Sequence, residues 1–468
     1  MVTFSAETAM IATMNSQEKR ATYALAGIFS FRMLGLFMIL PVFALYAQNL
    51  AHSTPFLIGL ALGIYGLTQA CFQIPFGMLS DRIGRKPIIV AGLIIFALGS
   101  LVAALSHGII GVIIGRALQG AGAIGSTTMA LLADLTHEEH RSKSMAIVGM
   151  TIGFSFTVAI IIGPILSQLI GVTGIFYLTS VLAFSGIALL YFIVPTPARL
   201  SFHQDTEPML SKLPSVLKNK ELLRLNFGIF TLHTLLTANF VVLPIVFLKH
   251  ASLEESQQWL IYLPALLLAF LFSLPMIVAA EVRRKIKSVF VSCILILALT
   301  TLGFWFFQFS TFGLLVMLWL FFTAFTVQEA LLPSLISKIA PAGSKGTAMG
   351  VYSTSQFLGI FVGGLVAGWL FQHFFITDIF LFSFVFAMLW FVVAVNMAKP
   401  PHLSTLLLHI GNVDQTRAKS LAKSLLAIDG VMDASIALEE GTAHLKVDKK
   451  ILNQEEIVKW QEVSTKSS

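Results

Sequence analysis

Long apolar runs separated by short polar turns fill the chain from about residue 22 to residue 397. Each run has ~20 residues or more, enough to cross a bilayer as a helix, and the runs do not alternate polar with apolar as barrel strands would. Twelve crossings are predicted: 22–48, 56–80, 88–107, 109–134, 144–170, 174–194, 226–248, 257–280, 287–307, 312–337, 346–371 and 376–397. A tight His107-Gly108 turn is all that parts the third from the fourth. Between the sixth and seventh lies a polar stretch, 195–225, with Pro195, Pro197, Pro208, Pro214 and the basic run Lys218-Asn219-Lys220. It reads as a linker lying on an anionic membrane surface, dividing the membrane part into bundles 22–194 and 226–398.

After Lys399-Pro400-Pro401 the pattern changes, and 399–403 reads as a second linker. Residues 404–468 are charged and soluble in character. Ser404–Ile410 predicts a strand and Asp414–Ile428 a helix. Val431–Leu438 and Thr442–Val447 alternate about Glu439-Glu440-Gly441 as a hairpin does. Asn453–Val463 predicts a last helix, Asn453 its cap and Glu456 three residues on. The order βαββα predicts a small ferredoxin-like domain that lacks or shortens its final strand. The predicted fold class is an all-α membrane protein of twelve helices in two pseudo-symmetric six-helix bundles, plus this small cytoplasmic α+β unit.

Composition narrows the function classes. Of 468 residues 56% are hydrophobic and 11% charged, against ~25% charged in an ordinary soluble domain, and the mean hydropathy is +0.86. That excludes one large soluble enzyme, a disordered chain and a fibrous repeat. The net charge of +7 sits in short loops between apolar runs, which points to membrane orientation and not to nucleic acid. Alternate loops carry sixteen Lys and Arg, among them Arg141, Arg224, Arg283 and Lys345, while the opposite loops carry only Lys249. By the positive-inside rule both termini are predicted to be cytoplasmic. Residues 1–21, with Glu7, Glu18, Lys19 and Arg20, read as a cytoplasmic lead-in and not a cleaved signal. Cys71 and Cys293 fall inside predicted crossings and are expected to be free, buried thiols. The halves echo each other: Pro75, Asp81 and Arg85 match Pro275, Glu281 and Lys285 at an offset of 200, as internal repeats around a central path do.

The sharpest motif is Gly77-Met78-Leu79-Ser80-Asp81-Arg82-Ile83-Gly84-Arg85-Lys86, between the second and third crossings. Gly77 permits a close helix approach and Gly84 a tight turn. The loop resembles the signature of the major facilitator superfamily, and the likeness extends over about residues 20–398. Arg116-Ala117-Leu118-Gln119-Gly120 resembles the family's fourth-crossing signature, and Asp134 matches the acidic partner of the signature-loop arginine. The resemblance implies a relay of Asp81, Arg85 and Asp134 that latches the halves while the protein faces outward, with Asp81 near Gly346 and Thr347. Gly163-Pro164 resembles the fifth-crossing motif of proton-coupled drug antiporters, with Ala159 and Ser167-Gln168 departing from it. The stretch from Glu329 to Leu335, the stretch from Lys345 to Tyr352 and the C-terminal unit resemble the YajR branch of bacterial inner-membrane facilitators. This implies a proton-driven, efflux-type transporter of small, apolar or drug-like molecules, working by alternating access.

Ionisable groups at membrane depth are expensive, ~2.5–3.5 kcal/mol on insertion scales, so each is a functional candidate. Arg32, Arg116, His233 and Glu329 qualify. Glu329, in the tenth crossing, is the first candidate proton carrier, because a carboxylate held at depth can load and release protons near neutral pH; His233 and Arg32 are the other proton-coupling candidates. Gln69, Gln73, Asn239, Gln328 and Gln356 are candidates for lining the central path, and each must face protein or water. Forty Phe are expected mostly to face lipid or to pack between helices. The small C-terminal unit has His409 and His444 but no paired cysteines, so no metal is expected, and self-association or ligand sensing is its expected role. No enzyme activity, cofactor or nucleic-acid partner is expected; the energy source is the proton gradient. A nutrient facilitator or symporter, and a membrane sensor signalling through the C-terminal unit, are the alternatives.

Overall fold

The computed structural model describes residues 14–196, 212–251, 253–283, 285–341, 343–399, 404–410, 414–437, 441–448, 451–453 and 456. Helix α1 (Ser16–Phe37) starts six residues before the predicted crossing. A capping box explains why: the Asn15 side chain accepts from the Glu18 amide at 2.8 Å, and Glu18 Oε2 accepts from the Asn15 amide at 2.8 Å. The chain breaks at Met38 and resumes as α2 (Leu40–Ala47), with Pro41 near its start. Proline cannot donate to the ladder and crowds the preceding turn, so one predicted crossing becomes two pieces. The fourth crossing divides in the same way, into α5 (Ile109–Ala121) and α6 (Gly125–Asp134). Between these lie α3 (Pro55–Ile83) and α4 (Arg85–Leu105), joined through Gly84 at φ +110°, a conformation natural to glycine alone.

Helix α7 (Glu138–Phe192) has 55 residues, ~80 Å of helix at 1.5 Å per residue against a hydrocarbon core of ~30 Å. Gly171, at φ 70° and ψ 167°, breaks it into two crossings. The second half follows as α8 (Leu213–Lys218), α9 (Lys220–Lys249), α10 (Trp259–Val282), α11 (Ile286–Phe306), α12 (Thr311–Ile339), α13 (Lys345–His373) and α14 (Asp378–Val395). Among the described residues eleven helical stretches are long and apolar enough to cross a membrane, and the Gly171 break makes twelve crossings of them. Residues 197–211 of the predicted linker lie outside the described residues, and the seventh crossing begins at Lys220, not at 226. Cys293 is buried as expected, but Cys71 is exposed on α3. Hydropathy cannot tell a lipid-facing thiol from a buried one, because both surroundings are apolar.

The two halves meet along α3 and α13. A Cβ on Gly59 would lie 2.2 Å from the Gly364 carbonyl oxygen, one on Gly63 2.7 Å from that of Phe361, and one on Gly66 2.3 Å from that of Phe357. Three glycines at spacings of four and three form a bare stripe that lets the backbones touch. The stripe occupies the half of α3 away from the Arg-rich loops. At the same far end the Phe56 amide donates to Gln372 Oε1 at 3.2 Å, and Ser167 Oγ donates to Glu255 Oε1 at 3.3 Å. The far end is therefore sealed between the halves.

The C-terminal unit consists of β1 (Ser404–His409), α15 (Gln415–Leu426), β2 (Val431–Ala437) and β3 (Thr442–Val447). Its sheet order is β1-β3-β2, all antiparallel, as the ferredoxin-like reading requires. Leu408, Leu425, Ile428, Ala443, Leu445 and Val447 form its own small core. The Asn453 side chain accepts from the Glu456 amide at 3.3 Å, and the rest of the predicted last helix, 454–455 and 457–463, lies outside the described residues. Lys446 Nζ donates to the Ser337 carbonyl at 2.5 Å, which places the unit at the basic end of α12.

The seam makes a direct prediction. Gly66→Leu should lower the apparent melting midpoint in detergent by about 5 °C, because overpacking costs about 1–3 kcal/mol. Gly149→Ala, at a site with nothing within 4 Å of a Cβ, should leave the midpoint unchanged or slightly raised. Equal midpoints for the two variants would mean that the halves are not held at this stripe.

Candidate functional site

Most of the site residues expected from the sequence fall into three clusters of polar side chains. The first is at the basic end of the first half. Arg85, 3% exposed, forms an ion pair with Asp81 on one side and donates Nε to Asp134 Oδ2 at 3.1 Å on the other. Its Nη1 also donates to Ser80 Oγ at 2.9 Å, and that hydroxyl donates to the Gly77 carbonyl at 2.6 Å. One guanidinium thus fastens the ends of α3 and α6 to the start of α4. A Cβ on Gly77 would lie 3.1 Å from Ser126 Oγ, which is the close approach the motif predicts. Lys86 Nζ donates to the Val194 carbonyl at 2.6 Å, whereas Arg82 is exposed.

The second half has a counterpart. Glu281 accepts from Lys338 Nζ at 2.5 Å and from Ser334 Oγ at 2.7 Å, fastening α10 to α12. The sequence reading noticed Glu281 as an echo of Asp81 but missed Ser334 and Lys338. Their spacing of four on one helix face is the signal that could have found them.

The second cluster lies inside the first half. Arg32, 2% exposed, donates to Tyr65 Oη at 3.0 Å and to the Gln69 side chain. Gln69 Nε2 donates on to Gln73 Oε1 at 2.8 Å. Arg116, 1% exposed, donates to Gln119 Oε1 at 2.9 Å and to the Ala61 carbonyl, and its guanidinium lies 5.2 Å from the centre of the Tyr65 ring. Gln119 Nε2 donates to Ser100 Oγ at 2.8 Å. Tyr65 is the shared member that sequence reasoning missed. It stands at the head of the series Tyr65, Gln69, Gln73, one face of α3 at intervals of four, but looked like one more aromatic. Gly163, beside Pro164, packs α7 against the break after α1: a Cβ there would be 2.2 Å from the Met38 carbonyl oxygen.

The third cluster lies in the second half. His233 Nε2 is 2.9 Å from Gln356 Nε2 and 3.6 Å from Glu329 Oε1. Glu329 is ten residues from the end of α12, ~15 Å along the helix, and about a third of its side chain is accessible while His233 is 4% accessible. Around it Phe325 packs with its ring centre 5.9 Å from that of His233. Across the seam Phe156 of α7 stacks on Phe325 at 5.8 Å and meets Phe322 edge-on at 6.2 Å. The remaining candidates stand apart. Gln328 donates to the Phe290 carbonyl at 2.7 Å and so staples α12 to α11. Asn239 is 1% exposed, and its amide has no partner among the described residues. No group of three or more metal-ligating side chains occurs among the described residues.

Comparison with known proteins places this geometry. The profile of the Major Facilitator Superfamily matches residues 25–363 and again 225–412. The chain is 46% identical over 445 residues to the inner membrane transport protein YajR of Escherichia coli K12, covering 95% of this chain and 97% of that protein. It is 24% identical over 343 residues to the multidrug resistance protein MdtH of Aeromonas salmonicida, covering 71% and 82%. Among solved structures, a bacterial homologue of the human lysosomal transporter Spinster, in an inward-facing and occupied conformation, superposes with a TM-score of 0.66 at 13% identity, covering 82% of this chain and 98% of that one; this likeness is one of fold. The chain belongs to the Major Facilitator Superfamily, as a multi-pass membrane transporter.

Proposed function

We propose that this transporter is a proton-driven antiporter that expels small, apolar or drug-like molecules from the cytoplasm across the inner membrane. The observation that carries the reading is Glu329, a carboxylate at membrane depth, beside His233, whose ring meets Phe325 in a cluster with Phe156 and Phe322. The basic loops face the cytoplasm in this reading, so both termini are inside and the sealed far end faces outward. The conformation is then the inward-facing one, with Glu329 reached from the cytoplasm.

Coupling follows from charge. An ionised Glu329 in a closed, substrate-free path is costly, because neither cargo nor bulk water attends it. A proton removes that cost, so the loaded, substrate-free path can close and turn. Release of the proton to the cytoplasm restores the charge and readies the site for the next molecule. The phenylalanine cluster supplies the apolar face for cargo. The name of the multidrug relative is in keeping with such cargo. The cluster of Asp81, Arg85 and Asp134 holds the basic ends of α3, α4 and α6 as one piece, and when the basic end closes in the outward-facing state Asp81 meets the second half near Gly346 and Thr347, which is the conformational latch.

Two substitutions test this, in vesicles holding a pH-sensitive dye and given a panel of dye-like and drug-like compounds. Glu329→Gln should cut proton counterflow at least tenfold while insertion and melting behaviour stay normal; undiminished counterflow would remove Glu329 as the carrier. Asp81→Asn should slow exchange several-fold with the folded yield unchanged, because Arg85 keeps Asp134 and Ser80. Full-speed exchange by that variant would deny the cluster its role as latch.

A further inference from the structure

Two guanidiniums lie buried in the first half, and the partners found for them are uncharged: a phenol, two amides, a backbone carbonyl and aromatic faces. Among the described residues neither is paired with a carboxylate, and Arg32 Nε has no hydrogen-bond partner. Unpaired charge away from water is unfavourable, so what keeps these sites dry matters to the cycle. Tyr65 meets both. Its oxygen accepts from Arg32 and its ring receives Arg116. The same residue borders the other half: its ring centre is 6.3 Å from that of Phe357 on α13, at 66°. Its neighbour Gly66 is the point where α3 touches the Phe357 backbone. On the opposite side a Cβ on Gly120 would be 2.2 Å from the Tyr65 carbonyl oxygen, so α5, which carries Arg116, is pressed against the same turn.

We infer that Tyr65 is a positioning residue that links the seam between the halves to Arg32 and Arg116. With Phe357 in place it holds both guanidiniums out of water; when Phe357 withdraws as the far end opens, water reaches both. The inference rests on the alternating-access reading and assigns to one residue the means by which the seam senses buried charge. Tyr65 favours the closed far end because its oxygen stands in for the water that Arg32 would gain on opening. Removing that oxygen alone should therefore favour the open state, since water can replace a lost acceptor there and nothing can in the closed one.

The test is a distance measurement between spin labels at the far end, on the full chain in lipid vesicles with and without a proton gradient. His107→Cys and Phe375→Cys, exposed on opposite halves, carry the labels in a background with Cys71 and Cys293 replaced by Ser. Tyr65→Phe keeps the ring and its contact with Phe357, and should raise the ratio of long to short distances at least fivefold. Tyr46→Phe loses a phenol oxygen that lies 3.4 Å from Thr173 Oγ1 within the first half, and should not change the ratio. In an Arg32→Met background Tyr65→Phe should have little further effect, since the cation it served is gone. An unchanged ratio in Tyr65→Phe, or a shift that persists undiminished without Arg32, overturns the inference alone. One invariant distance in the unsubstituted labelled chain under every condition overturns the two-state reading, and the inference with it.

Discussion

Charge must be settled within each half if the halves are to move against each other in lipid. The named ion pairs of the bundle obey this: Arg85 with Asp81 and Asp134, His140 with Glu18, Arg224 with Glu221, His233 with Glu329 and Lys338 with Glu281 all close inside one half. The seam is made chiefly of other material, bare glycine backbone against backbone and phenylalanine against phenylalanine, with the Phe56–Gln372 and Ser167–Glu255 hydrogen bonds at its far end. Dispersion contacts are individually weak and re-form at many angles, whereas a desolvated ion pair broken mid-cycle would leave two uncompensated charges. Tight rigid bodies joined by a slippery seam are the mechanical requirement for rocking, and the residue types are distributed accordingly.

Each half fastens its own basic end, but with the charges exchanged. In the first half the end of α6 offers an acid, Asp134, and a loop guanidinium bridges it to Asp81. In the second half the end of α12 offers a base, Lys338, which reaches Glu281 directly. The first arrangement needs the sharp Gly84 turn to deliver Arg85 between two carboxylates, and that demand explains the strict spacing of the loop. The second needs no such delivery. The doubled motif has diverged where geometry allowed it.

How much could be read from the residues follows from the same division. The crossings, the division into halves and the βαββ order were legible because lipid and a small core impose plain periodicities, and the signature loop was legible because its turn admits few residue types. The breaks at Met38 and Gly122 were not, since hydropathy is blind to a helix interrupted inside an apolar run. Nor was the exposure of Cys71, because lipid and protein interior share one preference. Tyr65 escaped because an aromatic in a membrane helix is ordinarily packing. Only the convergence of two arginines from α1 and α5, far apart in sequence, distinguishes it. Gln328 and Gln356 are both glutamines within crossings, yet one staples α12 to α11 and the other meets His233; the facing helix decides, and a single sequence does not name it.

These placements bear on how a proton and a cargo molecule could exclude each other without touching. Glu329 and Phe325 stand four residues apart on α12, one turn, on the same face. Phe156 of the opposite half stacks on Phe325. A molecule lodged between those rings must part them, and in doing so it displaces the α12 turn that sets Glu329 against His233. The carboxyl then loses the imidazole partner it has when protonated, so a lodged molecule and a bound proton oppose each other. Exchange in such an arrangement needs no long-range signal. One turn of helix carries it, provided α12 is anchored at its basic end so that displacement at Phe325 reaches Glu329 and is not absorbed by the helix sliding. The Lys338–Glu281 bridge and the Lys446 contact with Ser337 supply that anchor.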